Sequence, residues 1–117
     1  SNNVNIQLGD SGGIESTGYL GGSFNASTSV LTTSGFDCSC QTNASAVIHG
    51  AITLSLLDGT TWVASGVVST STSGGHVAAI GGAKTLTSNL TQIRITTIGG
   101  TDSFDAGTIN IGFEGTS

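Results

Sequence analysis

Apolar residues return at every second position along much of this chain, and almost nowhere at the three-and-four spacing that builds a helix. Successive side chains of an extended strand point to opposite faces, so this alternation describes strands with one face buried and the other wet. Val4-Asn5-Ile6-Gln7-Leu8 alternates cleanly and runs into Gly9-Asp10-Ser11-Gly12-Gly13. Within residues 45–57, Ile52-Thr53-Leu54-Ser55-Leu56 does the same. His76-Val77-Ala78-Ala79-Ile80 is bracketed by Gly74-Gly75 and Gly81-Gly82, and Leu90-Thr91-Gln92-Ile93-Arg94-Ile95-Thr96 precedes Gly99-Gly100. Residues 108–114 close the series, with Ile109, Ile111 and Phe113 on one face. The helical expectation is limited to one turn around Ala83-Lys84-Thr85-Leu86.

The chain has no proline and 19 glycines, so Gly, Asn and Asp must supply the turn chemistry. Asp58-Gly59 between two apolar runs is a strong hairpin signal, because glycine relieves the positive φ that a type I′ turn demands. Trp62-Val63-Ala64 then opens a return strand towards Val67-Val68. About seven to nine strands at roughly 8–12-residue spacing predict an all-β fold. The expected form is a single antiparallel β-sandwich, jelly-roll-like, over residues 1–117, with a barrel as the lesser alternative. A chain of 117 residues fits one domain and should bury about 65% of its unfolded surface without needing staples. Residues 9–23 and 69–75 are expected to be the mobile loops.

Charge narrows the function classes. Only 8% of residues are charged, against about a quarter in an average protein. Lys84 and Arg94 are the sole basic residues, facing seven acids for a net charge of −5. Nucleic-acid affinity needs several phosphates neutralised by Lys or Arg, and two cations cannot do that. An anionic membrane surface is disfavoured on the same ground, and no stretch of about 18 apolar residues exists to span a bilayer. The opening Ser1-Asn2-Asn3-Val4 lacks the features of a signal peptide and reads as the product of initiator-Met removal in a cytoplasm, though a mature secreted chain after signal cleavage would look similar. Low charge suits a domain whose surface is partly covered by neighbours, and equally an exported protein whose hydroxyl-rich strands face water.

The residues that could carry chemistry lack partners in the sequence. Cys38-Ser39-Cys40 with His49 would be half of a zinc site, but such sites want four ligands, usually as two spaced pairs. Two small buried thiols, or one strained local disulfide, is the expected reading. His49 and His76 could act as bases, yet no nucleophile-elbow or His-Glu helix motif accompanies them. Asp102 and Asp105 share a Gly/Ser-rich loop where turn capping explains them better than a glycosidase pair or a calcium site. Three Asn-x-Ser/Thr triplets, beginning at Asn25, Asn43 and Asn89, are expected by chance in a chain so rich in these residues. Trp62 is alone, too few aromatics for a sugar-stacking platform, and is expected in the core under its hairpin. The expectation is a protein that is not an enzyme, with no cofactor, no metal and no catalytic residue.

Leu56-Leu57-Asp58-Gly59-Thr60-Thr61-Trp62-Val63 resembles a hairpin frequent in small virion proteins of tailed bacteriophages, in which a strand enters Leu-Asp-Gly-Thr-x-Trp and returns. Leu90-Thr91-Gln92-Ile93-Arg94-Ile95 looks like the strand that carries a Gln-x-Arg step in those proteins. A Gly-rich turn and a last apolar strand, Ala106-Gly107-Thr108-Ile109-Asn110-Ile111, follow it. Together these cover about the last half of the chain, while the first half is similar only in style. The resemblance implies a capsid decoration (cement) protein on the virion surface that binds the major capsid protein and self-associates as a homo-trimer or homo-dimer, or else another small virion component. A carbohydrate-binding or adhesive β-sandwich from a phage fibre or bacterial surface is the alternative. The sequence singles out no interface residue, and it shows no long polar arm for clasping neighbours.

Overall fold

A computed structural model describes residues 4–25, 29–38, 47–70, 77–97 and 108–112. Nine strands are formed among these residues: β1 Val4–Asp10, β2 Gly13–Ile14, β3 Leu20–Phe24, β4 Ser29–Thr32, β5 Phe36–Cys38, β6 Ile48–Asp58, β7 Thr61–Thr70, β8 Val77–Thr85 and β9 Gln92–Thr97. They build two antiparallel sheets packed against each other, an all-β sandwich, and the described residues contain no helix. The larger sheet runs β4-β3-β8-β7-β6. In the smaller one β1 is central. It pairs β9 along one edge, while β5 and β2 share the other edge at its two ends.

The alternation read from the sequence is what packs the sandwich. Val4, Ile6 and Leu8 turn inward from β1. They meet Ala64 and Val68 of β7 and Ala78 and Ile80 of β8, with Tyr19, Phe36, Cys38 and Leu86 completing the buried cluster. Tyr19 and Phe36 meet edge to face, ring centroids 5.2 Å apart, which places the positive ring edge of one against the negative face of the other. Gly82 makes room for this pair. A Cβ there would stand 3.2 Å from the Phe36 ring and 2.8 Å from the Leu20 carbonyl oxygen.

Several expectations are corrected. β8 continues through Gly81-Gly82 to Thr85, so the helical turn at residues 83–86 is absent. Side-chain-free Gly81 and Gly82 oppose Gly22 and Gly21 of β3, and the ladder passes straight across them. Residues 9–23 are not one long loop: they hold the end of β1, all of β2 and most of β3. Residues 69 and 70 belong to β7. The hairpin after β6 turns on Gly59-Thr60 rather than Asp58-Gly59, since Asp58 pairs Thr61 and Leu57 bulges out of register. Of the two turn residues, only Gly59 has a positive φ, at 55°, so this is not the I′ form, which needs two. The last expected strand does not form among residues 108–112; they join no ladder, and Ile109 and Ile111 are exposed.

Candidate functional site

The residues with candidate chemistry stand apart. His49 lies exposed on β6, its Nδ1 3.4 Å from the Ser69 hydroxyl across the ladder. Cys38 is buried in the core at the end of β5. Cys40, His76, Asp102 and Asp105, and the triplet beginning at Asn43, lie outside the described residues. Among the described residues, no three His, Cys, Asp or Glu side chains gather as metal ligands. Trp62 is half-buried rather than interior. It packs against the edge of the core from β7, opposite Leu56 and Lys84.

Asp10 and Asp37 lie within strands. Asp37 is wholly buried in β5 and accepts a 3.0 Å hydrogen bond from the Ser23 hydroxyl of β3. Asp10 ends β1 nearly enclosed and binds the loop that joins β8 to β9. The Thr87 hydroxyl donates to it at 2.6 Å, the Gly12 N–H at 2.9 Å and the Ser88 N–H at 3.1 Å. These donors, Thr87 foremost, hold its carboxyl down to about 2.

Beside it, Lys84 buries its ammonium with 5% of the side chain exposed. That charge is met by the Glu15 carboxylate at 2.8 Å, the Thr17 carbonyl at 2.7 Å and the face of the Tyr19 ring at 5.0 Å. Sequence reasoning missed this cluster, although a signal was present: one of only two cations sits inside an apolar strand. A buried charge of that kind must be paired.

Among the described residues, several exposed large apolar side chains lie on the outer face of the five-stranded sheet. Residues paired across a ladder share a face, so the registers define its rows. One row reads Phe24, Ala79, Val67, Ala51 from strand to strand, and another Leu20, Ala83, Val63. Between them run Leu31, Gly22 and Gly81, a shallow glycine floor with one leucine at its end. Leu31 is 87% exposed, Leu20 71% and Phe24 59%. Ser and Thr fill most of the remaining positions, and no Asp, Glu, Lys or Arg stands within these rows. The nearest acid in the ladder is Asp58, at the hairpin end. Contiguous exposed apolar surface of this kind marks an interaction site, whereas single scattered apolar residues do not.

No family model, no curated protein and no solved structure matches this chain.

Proposed function

We propose that this protein is a structural component of a particle, a capsid decoration protein of a tailed bacteriophage that docks on the major capsid protein through the outer face of β4-β3-β8-β7-β6. The observation that carries the reading is the charge-free face itself, with its rows of Phe24-Ala79-Val67 and Leu20-Ala83-Val63. Covering it costs little desolvation, since no charge loses its water, and the apolar rows supply the drive. The partner that fits is itself an uncharged, flat protein surface; a phosphate backbone or an anionic bilayer would find no cation there. Contacts that are weak one at a time become firm when repeated around a symmetric shell, through effective concentration. The resemblance of the β6–β7 hairpin and of β9 to small virion proteins supplies the identity of that shell.

The test is attachment. Purified chain added to phage heads that lack it should restore surface density and resistance to rupture under pressure. Leu31→Glu, at a side chain that contributes nothing to the core, should keep the circular dichroism and melting behaviour of the parent while losing occupancy on heads. Equal occupancy of the Leu31→Glu chain, or heads equally resistant with and without the protein, would sink the proposal.

A further inference from the structure

On the side of β1 that faces away from the core, Asn5 and Gln7 line a cleft of about 330 Å³ together with Ser16, Ser34, Arg94, Thr96 and Thr97. It lies on the smaller sheet, away from the proposed docking face. Its position follows from the ladders. Asn5 opposes Thr96 and Gln7 opposes Arg94, so β1 and β9 present these four side chains together, and the loop before β5 brings up Ser34.

The walls of this cleft are incompletely satisfied. The Gln7 amide nitrogen donates to the Ser34 carbonyl at 2.8 Å, and that of Asn5 lies 3.5 Å from the same oxygen. Because both NH2 groups turn to one carbonyl, the orientation of each amide is set, and the atoms left over are oxygens. Gly35 presses on this arrangement, since a Cβ there would collide with the Asn5 amide. Asn5 Oδ1 and Gln7 Oε1 are buried without a hydrogen-bond partner among the described residues. Asn5 is 2% exposed and Gln7 6%. Buried polar atoms of this kind are rarely left unmatched, and each unmade bond costs about 1–3 kcal/mol.

We infer that this cleft binds a neutral polyhydroxylated ligand, of the size and chemistry of one monosaccharide unit. The wall decides the class. Two amide oxygens ask for donors, while the Arg94 guanidinium asks for an acceptor. A carboxylate or phosphate satisfies Arg94 and gives the amides nothing. An ammonium satisfies the amides and is repelled by Arg94. Vicinal hydroxyls donate and accept at once, and the hydroxyl side chains of Ser16, Ser34 and Thr96 adapt to either need. The volume sits at the small end of ligand pockets, about 300–1,000 Å³, which sets the limit at one sugar ring. With no aromatic side chain in the lining, there is no stacking platform, and binding is weak, about millimolar for one unit.

Saturation-transfer NMR on the full chain tests this with a panel of free hexoses and N-acetylhexosamines, inorganic phosphate as the anion control, and a glycan array for the same sugars in chain-terminal form. At least one sugar should bind saturably, and phosphate should not displace it. Arg94→Gln, at an exposed position that leaves the core untouched, should weaken binding about tenfold or more, the worth of a lost charged hydrogen bond. Thr96→Val, two residues along β9 on the same face, serves as a second variant and should weaken the same sugar. The inference is overturned if no sugar saturates, if phosphate competes, if both variants bind like the parent, or if ordered water alone occupies the cleft in crystals soaked with the panel. Loss of sugar binding would leave attachment to heads unaffected, so this result and that of the docking proposal are read separately.

Discussion

The hydroxyl of Tyr19 accepts the backbone N–H of Leu8 at 2.7 Å, standing in for a strand that is not there. β5 covers Val4 to Ile6 on this edge of β1, β2 covers Gly9 and Asp10, and a gap is left between them. Tyr19 closes it from the core side, with its own proton directed to the Glu15 carbonyl at 2.7 Å and the Leu8 carbonyl at 3.2 Å. One ring thereby fills the core and completes a ladder.

Tyr19→Phe keeps the ring and strands the Leu8 N–H, so it should cost about 1–3 kcal/mol in urea unfolding. The wild-type chain offers a second readout, because Tyr19 is its only tyrosine. Burial raises its pKa above 10.0, and the nearby Glu15 charge adds to the rise. The folded chain thus keeps the phenol proton where the unfolded chain has lost it. Stability from this group is intact below about pH 10 and falls as pH rises beyond the unfolded value. Phenolate absorbance should appear above pH 10 and coincide with unfolding; a free titration at the ordinary value in folded protein would contradict the buried hydrogen-bonded phenol.

The two ends of the Lys84–Glu15 pair should answer unequally to substitution. Glu15→Gln keeps an amide oxygen beside the buried ammonium but removes the countercharge, leaving the Thr17 carbonyl and the Tyr19 ring as its other neighbours. Removing one partner of a buried pair costs about 3–5 kcal/mol. Lys84→Met removes the buried charge itself and leaves a carboxylate that still accepts from Thr87 and still reaches water. The methionine variant should therefore be the more stable of the two in parallel urea titrations. The reverse order would mean that the lysine charge is better solvated than its burial implies.

Asp10 gives the acid side of the stability profile. Its carboxyl titrates at about 2 in the folded chain, chiefly because the Thr87 hydroxyl and the Gly12 N–H favour the charged form. Unfolded, it titrates at about 3.9. Between these values the unfolded chain holds more protons, so stability is fully present above about pH 4 and is lost as pH falls towards 2. In Asp10→Asn, melting temperature should change less with pH across that window than in the parent, and the tie between the β8–β9 loop and β1 should show faster amide exchange at Ser88.

Much of this fold was legible because alternation is local. Val4 to Leu8 and Ile52 to Leu56 announce their inward faces within five residues, and both became strands. What was not legible depends on contacts far apart in sequence. Gly81-Gly82 reads as a strand end, yet it lies within β8 because β3 presents its own Gly21-Gly22 opposite. Asp10 reads as a turn residue until Thr87 arrives 77 positions later. Asn5 and Gln7 occupy the polar half of an alternating strand, where sequence expects water and the structure supplies Ser34, Thr96 and Arg94 instead. The outer apolar face was hidden for a similar reason. Leu20, Phe24 and Leu31 belong to short strands whose patterns are too brief to read, and only the registers set them beside Ala79 and Val67.

Gly82 tests how tightly the two sheets are fitted. It sits on the inner face of β8, opposite Ala64 and Gly21, where the Phe36 ring of the other sheet comes down upon it. No special backbone angle is needed here, since its φ is not positive, and the requirement is space alone. A methyl at Gly82 would have to move both the Leu20 carbonyl and the Phe36 ring, and the ring is itself held edge-on by Tyr19. Overpacking of this kind costs about 1–3 kcal/mol. Gly81→Ala is the matched control: one residue along, the Cβ points to the outer face and meets nothing within 4 Å. The first variant should unfold at lower urea and the second should match the parent, as read from the tryptophan fluorescence of Trp62 at the edge of the same core. Equal midpoints for the two would mean that the sheets separate freely enough to admit a methyl, and that the sandwich is less closely packed than the position of Phe36 requires.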